Sequence, residues 1–178
     1  MINTLRLVLR PPVATDAPSI FKLRSDPEVA VYLNRKLQTT VNEAEAFISN
    51  LIAGFGEDKW HYWLVCNRDD GEFLGTICLW NFSEDRKSAE VGYELLPGFQ
   101  GRGFATEALE AVLEYGFKTL SLTRIDAIVE KGNIRSKALL ERFGFTVTKD
   151  FEEPSFSGGD HVTCLVFSLE SSAYVKNQ

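Results

Sequence analysis

The chain is poor in the residues that hold metals or staple small folds. Three cysteines, Cys66, Cys78 and Cys164, stand far apart in 178 residues without a C-x-x-C pair, and only His61 and His161 supply imidazole. That composition excludes a zinc cage and a disulfide framework. Each cysteine falls in an apolar, strand-like run, which reads as a buried, reduced thiol of a cytosolic protein. Positive charge is short as well: 19 Lys and Arg against 25 Asp and Glu leave a formal net charge of -6. Such a balance disfavours nonspecific binding to nucleic acid or to an anionic membrane. No uninterrupted apolar run approaches the roughly 20 residues that cross a bilayer, and the first residues lack the basic and apolar blocks of a signal peptide. The expectation is a cytoplasmic protein with no metal, no nucleic acid and no membrane among its partners. No repeat, low-complexity segment or linker divides residues 1–178, so one domain is expected, with a core large enough to need no staples.

What is present is a regular succession of strand and helix patterns. Residues 5–10 alternate Leu5, Leu7 and Leu9 against Arg6, Val8 and Arg10, a half-buried strand ended by Pro11 and Pro12. Thr15 is placed to cap a helix carrying Ile20, Phe21 and Leu23, which Pro27 stops or restarts. Thr40-Val41-Asn42-Glu43 has capping-box spacing before the stripe Ala44, Phe47, Ile48, Leu51 and Ile52, which runs up to the breaker Gly54. Residues 60–67 and 72–82 read as strands joined by the turn signal Asp69-Asp70-Gly71. In residues 89–96, Ala89, Val91, Tyr93 and Leu95 face one way and Glu90, Gly92, Glu94 and Leu96 the other. Gly92 marks a bulge, a close approach of a ligand, or a plain weak spot. A strand at 124–129, a short helix after Gly132-Asn133 that stops at Gly144, and strands at 145–151 and 161–169 follow. The order β-α-α-β-β-β-α-β-α-β-β, with a parallel crossover around the long helix, is that of an α/β fold with a mixed sheet.

The stretch Leu95-Leu96-Pro97-Gly98-Phe99-Gln100-Gly101-Arg102-Gly103-Phe104-Ala105-Thr106 joins a strand to an amphipathic helix through a glycine-rich turn. Successive backbone N–H groups there, with the unpaired amides of the helix's first turn, converge on one spot and favour an anion. The phosphate-binding pattern G-x-x-x-x-G-K-S/T fails, because no Lys-Ser or Lys-Thr follows a glycine. A dinucleotide G-x-G-x-x-G fits Gly101 and Gly103 but meets Thr106 at its third place, with Asp126 downstream for a ribose contact. An ordinary strand-to-helix turn also uses glycines for geometry alone.

Gln100-Gly101-Arg102-Gly103-Phe104-Ala105 resembles the Q/R-x-x-G-x-G/A signature of the GNAT superfamily of N-acetyltransferases. A second match, Asn133-Ile134-Arg135-Ser136 followed by Phe143-Gly144-Phe145, is similar to the N-x-x-S/A helix and G-F turn of the same superfamily. Leu5-Arg6-Leu7-Val8-Leu9-Arg10-Pro11, Ser25-Asp26-Pro27-Glu28-Val29 and the stretch from Gly75-Thr76-Ile77 through Gly92-Tyr93-Glu94-Leu95 resemble its RimJ/RimL-type branch, which acetylates protein N-termini, especially of ribosomal proteins. The resemblance implies a GNAT-like single domain with a central mixed, mostly antiparallel twisted sheet flanked by helices. It implies acetyl-CoA as cosubstrate, its pyrophosphate on the amides of Gln100, Gly101, Arg102, Gly103, Phe104, Ala105 and Thr106. The pantetheine would lie beside Leu95 and Leu96, held by Asn133. Arg102 either pairs with a phosphate or is a solvated surface residue.

Acetyl transfer needs an amine without its proton, a stabilised oxyanion and a proton for the leaving thiolate. The resemblance gives the first task to Glu90, with Glu94 second and Glu152 or Glu153 as further candidates, and the oxyanion to a backbone N–H near Leu95. Leu140 stands where many members carry a tyrosine acid, so Ser136 is the candidate acid; its alternatives are a helix cap or a pantetheine ligand. The implied acceptor is a protein N-terminal α-amine, whose pKa of about 7.7 to 8.0 asks less of a base than lysine at about 10.4. A small amine such as a polyamine or aminoglycoside, and a noncatalytic acetyl-CoA-binding module, are the alternatives. Glu152, Glu153 and Asp160 form an acidic loop that either attracts a cationic acceptor or is simply solvated. Monomer and homodimer both remain open. Purified protein is expected to bind CoA and acetyl-CoA in the micromolar range and not to prefer NAD; in calorimetric titrations, binding of NAD without CoA would overturn this reading.

Overall fold

The computed structural model describes residues 1–57, 59–156, 158–159 and 161–176. Strands β1 (Ile2–Asn3) and β2 (Leu7–Arg10) lead into helices α1 (Ala17–Arg24), α2 (Pro27–Ala30) and α3 (Val41–Gly56). Then come β3 (His61–Asn67), β4 (Phe73–Trp80), β5 (Ser88–Leu95), α4 (Phe104–Glu114), β6 (Arg124–Glu130) and α5 (Ile134–Arg142). The chain closes with β7 (Thr146–Pro154), β8 (His161–Glu170) and α6 (Ser171–Lys176). The strands form one sheet in the order β1-β2-β3-β4-β5-β6-β8-β7. Every neighbouring pair is antiparallel except β5 and β6, whose crossover is α4. This is the mixed α/β sheet that the strand and helix order implied, mostly antiparallel as the family resemblance implied.

Local signals account for most of these elements. The capping box at α3 forms in both directions, with Glu43 N–H donating to Thr40 Oγ1 at 3.4 Å and Thr40 N–H donating to Glu43 Oε2 at 3.3 Å. Pro27 restarts the chain as the one-turn α2, capped by Asp26, which accepts from Glu28 N–H at 2.8 Å. Gly71 and Gly144 take positive φ, 75° and 87°, at the hairpin and at the end of α5.

Three expectations change. Asp16, not Thr15, precedes α1, and its carboxylate turns back to Arg10 at 2.6 Å and to Val13 N–H at 2.8 Å, because an ion pair with β2 outweighs a local cap. Gly54 does not end α3; it lies inside the helix because the Trp60 indole rests where its Cβ would be, 2.0 Å from the nearest ring atom. Gly92 marks no bulge, since β4 and β5 stay in register from Gly75 opposite Leu95 to Trp80 opposite Glu90. The irregularity in this part of the sheet falls between Val65 and Cys66.

The sheet is covered differently on its two faces. Leu109, Val112 and Leu113 of α4 pack on Leu7, Leu9, Val65, Ile77 and Leu79 in the larger core, while Ile20 of α1 and Ile48 of α3 cover Tyr62 and Leu64 on the opposite face. Burial pushes the Cys78 thiol up to about 12 and the Cys164 thiol to about 11, which makes both poor nucleophiles at neutral pH.

Helix α4 is pinned to the turn between β1 and β2 by one carboxylate. Glu107 accepts from Thr4 Oγ1 at 2.6 Å, from Arg6 N–H at 2.7 Å and from Arg6 Nε at 2.7 Å. The same guanidinium donates to Arg102 O at 3.1 Å and stacks 4.5 Å from the Phe104 ring centre. Burial alone would raise the Glu107 carboxyl, but the hydrogen bonds from Thr4 and Arg6 hold it below its ordinary value. A depressed carboxylate stabilises the fold above its unfolded pKa and ceases to do so as pH falls through its folded one. Glu107→Ala is therefore expected to lower the unfolding free energy by about 2 kcal/mol at neutral pH. Urea melts of both proteins from pH 7 downward check this, and the gap should shrink below the ordinary carboxylate range.

Candidate active site

The site begins where β5 and β6 part company. Their parallel pairing covers Ser88 with Arg124, Ala89 with Ile125 and Glu90 with Asp126, and stops there, although β5 runs on to Leu95 and β6 to Glu130. A wedge opens between them. Leu96 N–H bonds back to Leu74 O at 2.9 Å on β4, so strand alternation turns the N–H and C=O groups of Tyr93 and Leu95 toward the wedge. The expected N–H donor near Leu95 thus lies on an open strand edge.

The cradle stands at the wide end of the wedge. A 3₁₀ turn at Pro97–Phe99 ties Gln100 N–H to Pro97 O at 3.2 Å, so the Gln100 amide is not a cradle donor and the cradle starts at Gly101. The Gln100 side chain braces instead: Nε2 donates to Leu95 O at 2.9 Å and Oε1 accepts from Arg135 at 3.2 Å, across the wedge. Gly101 and Gly103 take the left-handed conformation with φ of 70° and 81°. A Cβ on Gly101 would enter open space, whereas one on Gly103 would lie 3.3 Å from Arg6 Nη2. Glu107 N–H, bonded to Gly103 O at 3.1 Å, makes the first intrahelical bond of α4. The amides of Phe104, Ala105 and Thr106 before it are the helix's orphan donors, with no side chain capping them. Arg102 rests 5.3 Å from the Phe104 ring centre at the cradle rim. Orphan amides, a helix N-terminus and two guanidiniums, Arg102 and Arg6, fit a diphosphate. Arg6 was not legible as a site residue, because it reads as the polar side of a half-buried strand about a hundred positions away in sequence.

Opposite β5, the side chain of Asn133 caps α5, its Oδ1 accepting from Ser136 N–H at 3.1 Å. Ser136 is therefore not the cap. Its hydroxyl meets the hydroxyl of Tyr93 at 2.6 Å, a pairing across the wedge that the sequence did not suggest. Leu140 is fully buried in the main core.

The candidate carboxylates separate by their partners. Glu90, half-buried, accepts from Asn81 Nδ2 at 2.6 Å. Burial pushes its carboxyl up, the Asn81 bond opposes this, and the neighbouring Asp126 charge adds to the rise. It heads a groove of about 600 Å³ on the sheet face, lined also by Arg124, Asp126, Lys149, Ser168 and Glu170. Glu94 is committed: Arg35 Nη2 lies 2.8 Å and Arg24 Nη1 3.6 Å from its two oxygens. Glu153 accepts from Asn34 Nδ2 at 2.8 Å, and Asn34 also binds Pro154 O and Phe156 N–H, each at 2.8 Å. Glu152 is exposed, and Asp160 lies outside the described residues. Among the described residues no group of three His, Cys, Asp or Glu side chains is placed to hold a metal, and no helix is long and apolar enough to cross a membrane.

The profile of the acetyltransferase (GNAT) domain family matches residues 6–146. The chain belongs to the GNAT family. The uncharacterized N-acetyltransferase YoaA of Bacillus subtilis is 31% identical over 95% of this chain and 96% of its own length. Spermidine N(1)-acetyltransferase of Escherichia coli is 30% identical over 60% of this chain and 57% of its own. A structure provisionally named a ribosomal-protein-serine acetyltransferase, from Vibrio cholerae, superposes with a TM-score of 0.79 at 25% identity, covering 95% of this chain and 96% of that one. As a GNAT enzyme the chain is an N-acetyltransferase that uses acetyl-CoA as cosubstrate and an amine as acceptor.

If the cradle holds the CoA pyrophosphate, Gly103→Asp is expected to abolish CoA binding with little loss of fold. Aspartate tolerates the left-handed conformation better than most residues, and its charge would stand where phosphate belongs. Calorimetry with CoA, beside a thermal melt, checks both; unchanged affinity in a folded variant would move the phosphates elsewhere.

Proposed function

We propose that this GNAT enzyme acetylates the α-amine of a polypeptide N-terminus. The observation that carries the reading is the pair of guanidiniums, Arg24 and Arg35, on the single carboxylate Glu94 near the end of β5. Two cations against one anion leave positive charge beside the wedge, which repels an acceptor carrying several ammonium groups and tolerates a peptide with one. The groove headed by Glu90 is an open sheet face, able to take an extended chain. The name of the Vibrio cholerae structure points the same way. Glu90 is the group we assign to take the amine proton, through water, since Glu94 is committed to its arginines.

A small polyamine is the second reading. The E. coli spermidine relative favours it, as do Glu90, Asp126 and Glu170 in the groove. A panel of N-terminal peptides, spermidine, spermine and aminoglycosides, followed by CoA release, separates the two. Peptides are expected to turn over fastest; turnover of polyamines without peptides would replace the first reading with the second, and release from no amine would favour a binding module. With the best acceptor, Glu90→Gln is expected to lower kcat by about 10²-fold and leave acetyl-CoA affinity unchanged. Unaltered kcat would remove Glu90 from the proton path.

A further inference from the structure

We propose that Tyr93 is a positioning residue: it donates its hydroxyl proton to Ser136 Oγ and thereby keeps the Ser136 hydroxyl turned outward as a hydrogen-bond donor into the wedge between β5 and β6. The inference rests on the reading that the acetyl thioester lies in that wedge; it is independent of which amine is the acceptor.

Tyr93 is the third residue beyond Glu90, the last position at which β5 and β6 pair, so its Cα stands about 10 Å into the opening. Its ring packs against the main core, which fixes the direction of the phenol. The hydroxyl ends 2.6 Å from Ser136 Oγ on the far wall. The Ser136 hydroxyl plays no part in capping α5, since Asn133 Oδ1 makes the cap by accepting from the Ser136 backbone N–H.

Proton counting then orients the pair. Each hydroxyl has one proton to give and can accept. The phenol is part-buried against the core and, among the described residues, bonds no acceptor besides Ser136 Oγ, so a proton directed elsewhere would give up that hydrogen bond, at a cost of about 1 kcal/mol. Burial also pushes the phenol up to about 12, against the Ser136 bond, so it keeps that proton throughout the neutral range. Ser136 is only half-buried and faces the opening, where its own proton can go to a substrate atom or to water. With Tyr93 donating, Ser136 is a donor to whatever enters the wedge. Without Tyr93, its hydroxyl can rotate among several partners, and the time spent aimed at the reacting group falls. Ser136 gives a hydrogen bond as the carbon–sulfur bond breaks and the carbon–nitrogen bond forms, with the departing electron pair on sulfur. Its proton stays on Ser136.

A double-mutant cycle on turnover tests this, using Tyr93→Phe, Ser136→Ala and both together with the best acceptor. Ser136→Ala is expected to lower kcat by about 10²-fold with acetyl-CoA affinity little changed. Tyr93→Phe retains the ring, and with it the packing, and is expected to lower kcat by about 10-fold, again without weakening acetyl-CoA binding by calorimetry. The double variant should match Ser136→Ala alone, because Tyr93 has nothing left to orient. Ser136→Thr, which keeps a hydroxyl at this position, should retain most of the kcat while Tyr93 is present and little of it when combined with Tyr93→Phe. An equal loss from Tyr93→Phe with or without Ser136 would overturn the proposal, as would a Tyr93→Phe enzyme with full kcat beside an impaired Ser136→Ala. If Ser136→Ala itself keeps full kcat, the underlying reading of the wedge fails first, and that result is distinct from the other two.

Discussion

The contact on which the site depends is the Glu107 carboxylate held by Thr4 and Arg6. A helix N-terminus attracts anions only if its orphan amides stay where the ligand meets them, and α4 has no side-chain cap of its own. Glu107 supplies the anchorage from one turn further on, by fixing it to the turn between β1 and β2. Arg6 extends the grip forward, through Arg102 O and the Phe104 ring, to the glycine turn itself. The anion site is thus braced from outside, and its donors are left for a ligand.

The second constraint is the unequal length of strand pairing. β5 is bonded to β4 from Glu90 to Leu95 and β6 to β8 along its whole course, so neither can bend to close the gap between them. Among the described residues, Gln100 with Arg135 and Tyr93 with Ser136 span it instead. On the other face, the segment after α2 is tied down by Arg35 to Glu94 and by Asn34 to the end of β7. Carboxylates that are interchangeable in the sequence therefore divide. Glu94 and Glu153 hold the walls, and Glu90 faces an open groove.

Much of this was legible in the chain itself. Period-two and period-3.6 patterns located the strands and the long helices, and Gly101 and Gly103 announced the turn by a conformation they allow cheaply, whereas the cap of α5 was read at Ser136 and lies at Asn133. The pieces that escaped share one physical property: they depend on contacts between residues far apart in sequence. Nothing local in Arg6, Arg24 or Arg35 distinguishes a cation that builds a site from one on a solvated surface. Tyr93 carries the same apolar spacing as Val91 and Leu95, so its hydroxyl was hidden inside a core pattern. Gly54 read as a breaker because its reason, the Trp60 ring, arrives only when the chain folds back. Strand β1 and helix α6, of 2 and 6 residues, are too short to show a period at all.

An unpaired strand edge is ordinarily a hazard, since it offers a template on which another chain can add and aggregate. This protein's outer edges are poor templates: β1 has two residues, and β7 carries Lys149, Asp150, Glu152, Glu153 and Pro154. Its most usable edge, the wedge side of Tyr93 and Leu95, lies in the middle of the sheet, with β6 a short way across and α5 at its mouth. By hiding the edge inside the sheet, the fold keeps the backbone N–H groups of Tyr93 and Leu95 and the Tyr93 carbonyl for binding without exposing them to its own neighbours, the Leu95 carbonyl being held by Gln100.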